Sequence, residues 1–232
     1  MAVRRRPNNN TESVDNYLKA IFSLDGAGAS DAKRVPSKLL AEWLGVAPAS
    51  VTNMLQKLAG AKEPLVVYER HRGVQLSALG RRRALEIVRH HRLLETFLYE
   101  VLDYPLEEVH DEAERLEHFI SERFEERIAA KLGHPASDPH GHSIPTMEGE
   151  MAARCSVALN EIARDGMFVV DSVSDRDAGR LKLIEACGLT PGVKVKIRAD
   201  AQKGYSVRVR GSAKEFNVSR EVAADVRIRI GN

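Results

Sequence analysis

Apolar residues recur at helical spacing from Thr11 onward, at Val14, Tyr17, Leu18, Ile21 and Phe22, and the pattern stops at Asp25-Gly26, where glycine ends a helix. Pro36-Ser37 opens a short helix through Leu39, Leu40, Trp43 and Leu44, with Ser37 as its N-cap and Gly45-Val46 as its close. A second short helix follows over residues 48–58, where Val51, Met54, Leu55 and Leu58 keep the period of a buried face. Two short helices joined through a glycine-bearing turn form the helix-turn-helix pattern, whose second helix enters a major groove. Residues 65–68 and 74–76 then read as two strands around the basic turn Glu69-Arg70-His71-Arg72-Gly73, which makes a wing.

A long helical stretch runs from Ser77 or Ala78 to Leu102 and ends at Asp103-Tyr104-Pro105, because proline disfavours helix at the preceding residue. Another single helix is expected over about residues 106–132. Residues 133–145 hold three prolines, two glycines and three histidines, so they read as a connector. Residues 147–163 look more helical. Beyond them Met167-Phe-Val-Val, Val193-Lys-Val-Lys-Ile, Tyr205-Ser-Val-Arg-Val-Arg and Val226-Arg-Ile-Arg-Ile alternate apolar with polar, the mark of half-buried strands. With turns at Gly192, Gly204 and Gly211 they imply a small barrel of about five strands, closed or nearly closed to hide its edges. The expected architecture is mainly α with small β parts. Residues 1–78 form a winged helix-turn-helix, 79–146 a helical domain, 147–165 a connection and 166–232 the barrel.

Composition narrows the class. Hydrophobic residues at 43% and charged residues at 29% argue against wholesale disorder. The net charge of +2 hides a segregation: Arg4, Arg5 and Arg6, then Arg81, Arg82 and Arg83, are basic, whereas residues 107–126 are acidic. The first arginines read as a solvated tail or as a DNA-contacting arm. Cys155 and Cys187 lack CxxC spacing, which indicates neither a disulfide framework nor a zinc ribbon and fits a reducing cytoplasm. The short, interrupted apolar runs predict no membrane span.

Candidate chemistry sits in the acidic stretch. On a helix Glu114, Glu117 and His118 fall at i, i+3 and i+4, so all three point from one face toward one spot, a metal-ligand geometry. His91 and Glu95 are also i, i+4, and His110 opens the next helix, so antiparallel packing could unite both groups into one or two sites. Hard carboxylates with imidazole, without thiolate, suit Mn2+ or Fe2+ better than Cu+ or a structural Zn2+ site, with Zn2+, Co2+ or Cd2+ as substitutes. The bland alternative is a solvated acidic face with local ion pairs.

Helix-turn-helix, wing, His91-Arg-Leu-Leu-Glu95, His110-Asp-Glu-Ala-Glu-Arg-Leu-Glu-His118 and Pro139-His-Gly-His-Ser-Ile-Pro145, in this order, resemble the diphtheria-toxin-repressor family of metalloregulators. The segment around Cys187-Gly-Leu-Thr-Pro-Gly192 resembles that family's C-terminal SH3-like, FeoA-type domain. The resemblance implies a primary metal site from Glu114, Glu117 and His118 with Asn16 on the first helix, and a second from His91, Glu95 and His110, with Asp175 or Asp177 added from the barrel. The iron-responsive branch has cysteine at the Glu114 position and methionine at the Asn16 position, which favours manganese here. The manganese branch has aspartate at the Asn16 position and glutamate at Lys19, so this chain departs from it on the first helix; a backbone carbonyl or a water could complete that site.

In the second short helix, Pro48, Ser50, Thr52 and Asn53 lie near the end that reaches base edges, with Asn53 the best base reader. Lys57, Arg70 and Arg72 would neutralise phosphates, and Ser37 could donate to one at its helix N-terminus. The resulting expectation is a non-enzymatic, homodimeric, metal-activated repressor on a palindromic double-stranded operator, without a membrane or small organic substrate. Leu93, Leu94, Phe97, Leu98 and Leu102 suit either a two-fold interface or a core, and the barrel would supply metal ligands or brace the dimer. Two rivals remain at this point: a metal-dependent hydrolase with Glu117 as general base, for which no HExxH run, phosphate loop or nucleophile elbow appears, and a metal-independent DNA-binding dimer that senses an organic ligand.

Overall fold

A computed structural model of the protein describes residues 10–26, 33–152, 155–200 and 204–230. Its contacts divide the chain into two compact units, Met1–His90 with Pro145–Ala153, and His91–Ile144 with Arg154–Asn232. Arg4, Arg5 and Arg6 lie outside the described residues. No helix is long and apolar enough to cross a membrane among the described residues.

The first unit contains α1 (Asn10–Leu24), α2 (Ser37–Leu44), α3 (Pro48–Ala59), the hairpin β1 (Val66–Glu69) and β2 (Gly73–Leu76), and the start of α4 (Ala78–Leu102). Val14, Tyr17, Leu18, Ile21 and Phe22 are all buried, as their spacing requires, and share a core with Leu40, Val51, Leu55, Val66, Val74 and Val88. Two aspartates fasten α1 further: Arg83 Nε donates to buried Asp15 at 2.6 Å, and Arg81 stands 3.8 Å from buried Asp25.

The N-cap of α2 is Pro36, not Ser37. Val35 exchanges backbone hydrogen bonds with Val74 at 2.8 and 2.9 Å, which holds the chain extended through Pro36 and makes Ser37 the first helical residue. Gly73, at φ 97°, permits that bridge, since a Cβ there would stand 2.4 Å from the Val35 carbonyl oxygen. The wing is therefore clamped to the entry of α2. Gly45 closes α2 at φ 63°, and Pro48 begins α3.

In the second unit α4 delivers Leu93, Leu94 and Leu98 to the core, leaves Phe97 half-buried and exposes Leu102. The expected single helix over residues 106–132 is two helices, α5 (Leu106–Leu116) and α6 (Glu122–Lys131). Ser121 is extended and its hydroxyl accepts from the Phe124 N–H, so a side-chain cap starts a new helix after a turn at Glu117–Phe119. The helical reading of residues 147–163 also fails: Gly149 has φ 81°, and the described part holds β3 (Val157–Ala158) and a 3-10 turn, Leu159–Glu161.

The C-terminal sheet adds β4 (Gly166–Val173), β5 (Lys194–Asp200), β6 (Gly204–Val209), β7 (Phe216–Val218) and β8 (Val226–Ile230). All pairs are antiparallel, in the order β3-β8-β4-β5-β6-β7, with no ladder joining β7 to β3 among the described residues. Phe168, Val170, Val195, Ile197, Tyr205, Val207, Val226 and Ile228 alternate inward into one core with the α4 and α5 leucines and valine. Strands β3 and β7 are too short to show alternation, which is why about five strands were expected. Two further helices, α7 (Ala178–Ala186) and α8 (Arg220–Ala224), are capped by Asp177 and Ser219.

Candidate functional site

Helix α4 presents His91 and Glu95 on one face, one turn apart, and α5 presents His110 opposite them. His91 Nε2 lies 3.0 Å from Glu95 Oε1 and 3.2 Å from His110 Nδ1, and the two imidazoles meet edge to face at 4.9 Å. His110 Nδ1 is also 3.3 Å from Glu95 Oε1 and 3.3 Å from Asp175 Oδ2. His91, Glu95, His110 and Asp175 thus offer ligand atoms within 4.8 Å of one another. Of the two barrel aspartates, Asp175 reaches the cluster, whereas Asp177 is spent capping α7 by accepting from the Arg180 N–H.

The other ring nitrogen of His91 faces Glu117, with Nδ1 2.6 Å from Oε2. His91, Glu114 and Glu117 form a second convergent group, so one imidazole belongs to both. The expected helical triad is not a helical triad: Glu114 is in the last turn of α5, Glu117 is its C-cap and His118 lies in the following turn. Glu117 and His118 still adjoin, with His118 Nε2 3.4 Å from Glu117 Oε1, and Glu114 Oε1 stands 3.9 Å from His110 Nε2. Asn16 is half-buried on α1, in the first unit.

The connector contributes a residue that the sequence reading passed over. His140 is fully buried, its Nδ1 is 3.7 Å from Glu95 Oε1, and neither ring nitrogen has a hydrogen-bond partner. It forms a third convergent group with Asp138 and His142. Asp138 Oδ1 accepts from the His142 N–H at 2.9 Å, while its buried Oδ2 lacks a hydrogen bond and stands 3.6 Å from Arg92 Nε. Gly141 fixes the loop: at φ 90° it packs so tightly on β4 that a Cβ would come within 2.4 Å of the Asp171 carbonyl oxygen. The alternation of donors in Asp138-Pro-His-Gly-His142 was the available signal.

Charge is concentrated here among buried groups. Burial alone would raise the Glu95 carboxyl, but His91, then His110 and His140, hold it well below the usual carboxylate range. Burial works against a proton on His110, yet Asp175 and Glu95 beside it push its pKa up to about 10; His140 is pushed up to about 9 against the same penalty, chiefly by Glu95. Asp175 is half-buried; desolvation would raise its carboxyl, but His110 and His142 beside it hold it below the usual carboxylate range. Buried carboxylates of this density need positive charge. The orphaned Glu95 Oε2 and both His140 nitrogens are donors suited to a divalent cation, and the oxygen and imidazole set matches a hard or borderline ion.

The first unit offers a different kind of surface. On α3, Pro48, Ser50, Asn53 and Lys57 are exposed while Val51, Leu55 and Leu58 are buried. Ser37, Thr52, Arg70 and Arg72, together with Lys38, Gln56, Tyr68, His71 and Gly73, line an open groove of about 490 Å³ between α3 and the wing. Thr52 Oγ1 donates to the Pro48 carbonyl at 3.1 Å. Arg72 and Arg34 both donate to Glu69, so the wing arginine is braced from behind. Lys38, Gln56 and His71 were not anticipated in this groove.

Three family models match successive parts of the chain. Residues 10–74 match the iron dependent repressor N-terminal DNA binding domain, 77–146 the iron dependent repressor metal binding and dimerisation domain, and 157–230 the FeoA domain. The iron-dependent repressor IdeR of Mycobacterium tuberculosis is 27% identical over 212 residues, 86% of this chain and 90% of that one. The HTH-type transcriptional regulator MntR of Bacillus pumilus is 35% identical over 122 residues, 51% of this chain and 77% of that one. Among solved structures, a manganese-dependent transcriptional repressor in complex with manganese superposes with a TM-score of 0.83 at 33% identity, covering 93% of this chain and 99% of the other. ScaR with bound Zn2+ superposes with a TM-score of 0.78 at 30% identity, over 97% and 100%. The chain therefore belongs to the iron-dependent repressor family, and it is a metal-dependent, DNA-binding transcriptional repressor rather than an enzyme.

Proposed function

We propose that this repressor responds to Mn2+, with Fe2+ as the alternative and Zn2+, Co2+ or Cd2+ as substitutes, and that the carboxylate and imidazole network of the second unit holds the ion. The carrying observation is the fully buried pair Glu95 and His140, three of whose polar atoms have no hydrogen-bond partner although carboxylate and imidazole normally find one when buried. His91, Glu95, His110, Asp175 and His140 make one ligand set; Glu114, Glu117 and His118 make the adjoining one, linked through His91. When bound, the cation supplies the positive charge that lets these carboxylates share a buried space. The absence of thiolate among the donors supports Mn2+ over softer ions.

Residue roles follow from placement. His91 and Glu95 on α4, His110 on α5, His140 in the connector and Asp175 beside the sheet would draw four chain segments together, so occupancy stiffens the unit that carries them. Tyr99, Val101 and Leu102 on α4, with Phe119 and Phe124 after α5, remain exposed, and this apolar set is the proposed homodimer face. Two copies would present two α3 helices to a palindromic operator, with Asn53 and Ser50 toward bases and Lys57, Arg70, Arg72, Lys38 and Ser37 toward phosphates. Its two free cysteines suit a reducing cytoplasm.

An electrophoretic shift on duplexes selected for binding, titrated with Mn2+, Fe2+, Zn2+ and chelator, tests the reading. Retardation should appear with Mn2+ and vanish with chelator. Equal retardation with and without metal would overturn it.

A further inference from the structure

Strands β5, β6 and β8 alternate apolar and polar residues, and nearly every polar position there is Lys or Arg. Lys194, Lys196 and Arg198 alternate with Val195 and Ile197; Arg208 and Arg210 flank Val209; Arg227 and Arg229 flank Ile228. The apolar partners Val195, Ile197 and Ile228 are buried, whereas six of these seven cations are exposed and Arg208 is half-exposed. Register gathers them on one face. Lys196 lies opposite both Met167 and Arg208, and Val169, itself buried, lies between Lys194 and Arg229. From strand spacing, the lattice extends about 13 Å along the strands and about 15 Å across them.

An outward strand position needs a polar side chain, not a cation, and like charges directly opposite each other destabilise a sheet. Lys196 facing Arg208 is such a pair. Carboxylates offset part of this charge: Glu215 lies 2.8 Å from Arg208 and 3.7 Å from Arg198, Asp171 lies 3.5 Å from Arg229, and Arg227 donates to Ser156. Seven cations on one sheet face, in a chain whose net charge is only +2, leave the rest of the chain net negative.

We propose that this sheet face binds the phosphate backbone of duplex DNA, as a sequence-independent contact separate from the α3 and wing surface. It rests on the DNA-binding reading above and extends it to the FeoA domain. Five of the seven cations are arginines, whose forked guanidinium matches paired phosphate oxygens. Met167 is the one large exposed apolar side chain described on the face, too little to insert into a membrane surface. The duplex is already this chain's partner, so a second contact on the same chain acts at high effective concentration.

The test uses the full-length, Mn2+-loaded protein and sonicated random-sequence duplex, with affinity measured by fluorescence anisotropy across salt concentrations. The neutralised variant Lys196→Gln/Arg198→Gln/Arg210→Gln is compared with the parent and with the charge-keeping variant Lys196→Arg/Arg198→Lys/Arg210→Lys. The plot of log affinity against log salt should become shallower by about 2 to 3 in the neutralised variant, from about 0.9 per phosphate contact, and stay at the parent value in the charge-keeping one. Mn2+ affinity should be the same in all three. An unchanged slope overturns this inference and leaves the DNA-binding reading standing, as does binding of phosphatidylserine vesicles or polyglutamate that is lost with neutralisation while the duplex slope is unmoved. A parent that binds no duplex in any salt overturns both.

Discussion

The two compact units solve opposite problems. In the first, the groups proposed to meet DNA are already in water: Ser50, Asn53, Lys57, Arg70 and Arg72 are exposed, and its deeply buried carboxylates, Asp15 and Asp25, face Arg83 and Arg81. In the second, Glu117, His91, Glu95 and His140 are buried and follow one another at 2.6, 3.0 and 3.7 Å, and Glu95 Oε2 and both His140 nitrogens have no hydrogen-bond partner. An exposed reading surface can be complete before its ligand arrives. A buried ionic cluster is completed by its ligand, since burying charge is unfavourable until a counter-charge and hydrogen bonds satisfy it. On the proposed reading, sensitivity to metal belongs in the second unit and sequence reading in the first.

The largest expected asymmetry is in stability. Mn2+ at about one hundred times its Kd stabilises by about 2.7 kcal/mol, and hydrogen exchange should show the added protection in residues 91–118 and 136–144 rather than in α1 to α3. Glu95→Ala should remove that gain and weaken Mn2+ binding by at least the roughly 10- to 100-fold that loss of an outer metal partner costs; calorimetric titration reads it. Equal metal protection in both units would break the contrast.

Gly141→Ala comes next. Its Cβ would meet the Asp171 carbonyl oxygen at 2.4 Å with φ at 90°, so urea unfolding should show a loss of about 2 kcal/mol or more, with weaker metal binding because His140 is displaced. The first unit should show a cleaner division of labour. Asn53→Ala should cost about 1 to 3 kcal/mol on a preferred duplex and little on a random one, whereas Arg72→Ala should weaken both and lower the salt slope by about 1. Neither should alter Mn2+ affinity in the absence of DNA. The smallest effect is Ser121→Ala, which removes the α6 cap at a cost of about 1 kcal/mol in thermal unfolding.

The same contrast explains what could be read from the sequence. Val14 to Phe22 and Val51 to Leu58 bury one face against an apolar core, so their period is their structure, and α1, α3, α4 and the wing lie where spacing puts them. Prediction failed where side chains with polar tasks set the backbone. Ser121 starts a helix inside a run whose apolar residues continue through Phe119, Ile120 and Phe124 without glycine or proline. Met147, Met151, Cys155 and Leu159 keep a helical four-residue spacing, yet Gly149 sits at a positive φ. Helix α7 went unnoticed because Leu183 is exposed on it while Leu181 and Ile184 are buried, a weak stripe. His91, Glu95 and His110 were legible because helical spacing brings them together. His140 was not, because its position depends on Gly141 packing against β4, a tertiary contact that no local period reports.

Coupling between the two units is the central claim, and it is reciprocal by thermodynamic necessity. The direct measurement is the Mn2+ Kd of the full-length protein, determined with and without a saturating operator duplex, beside the duplex Kd with and without Mn2+. The account predicts that both affinities rise by the same factor, within about 5- to 150-fold. A Mn2+ Kd that is identical in the presence and absence of the operator would contradict it.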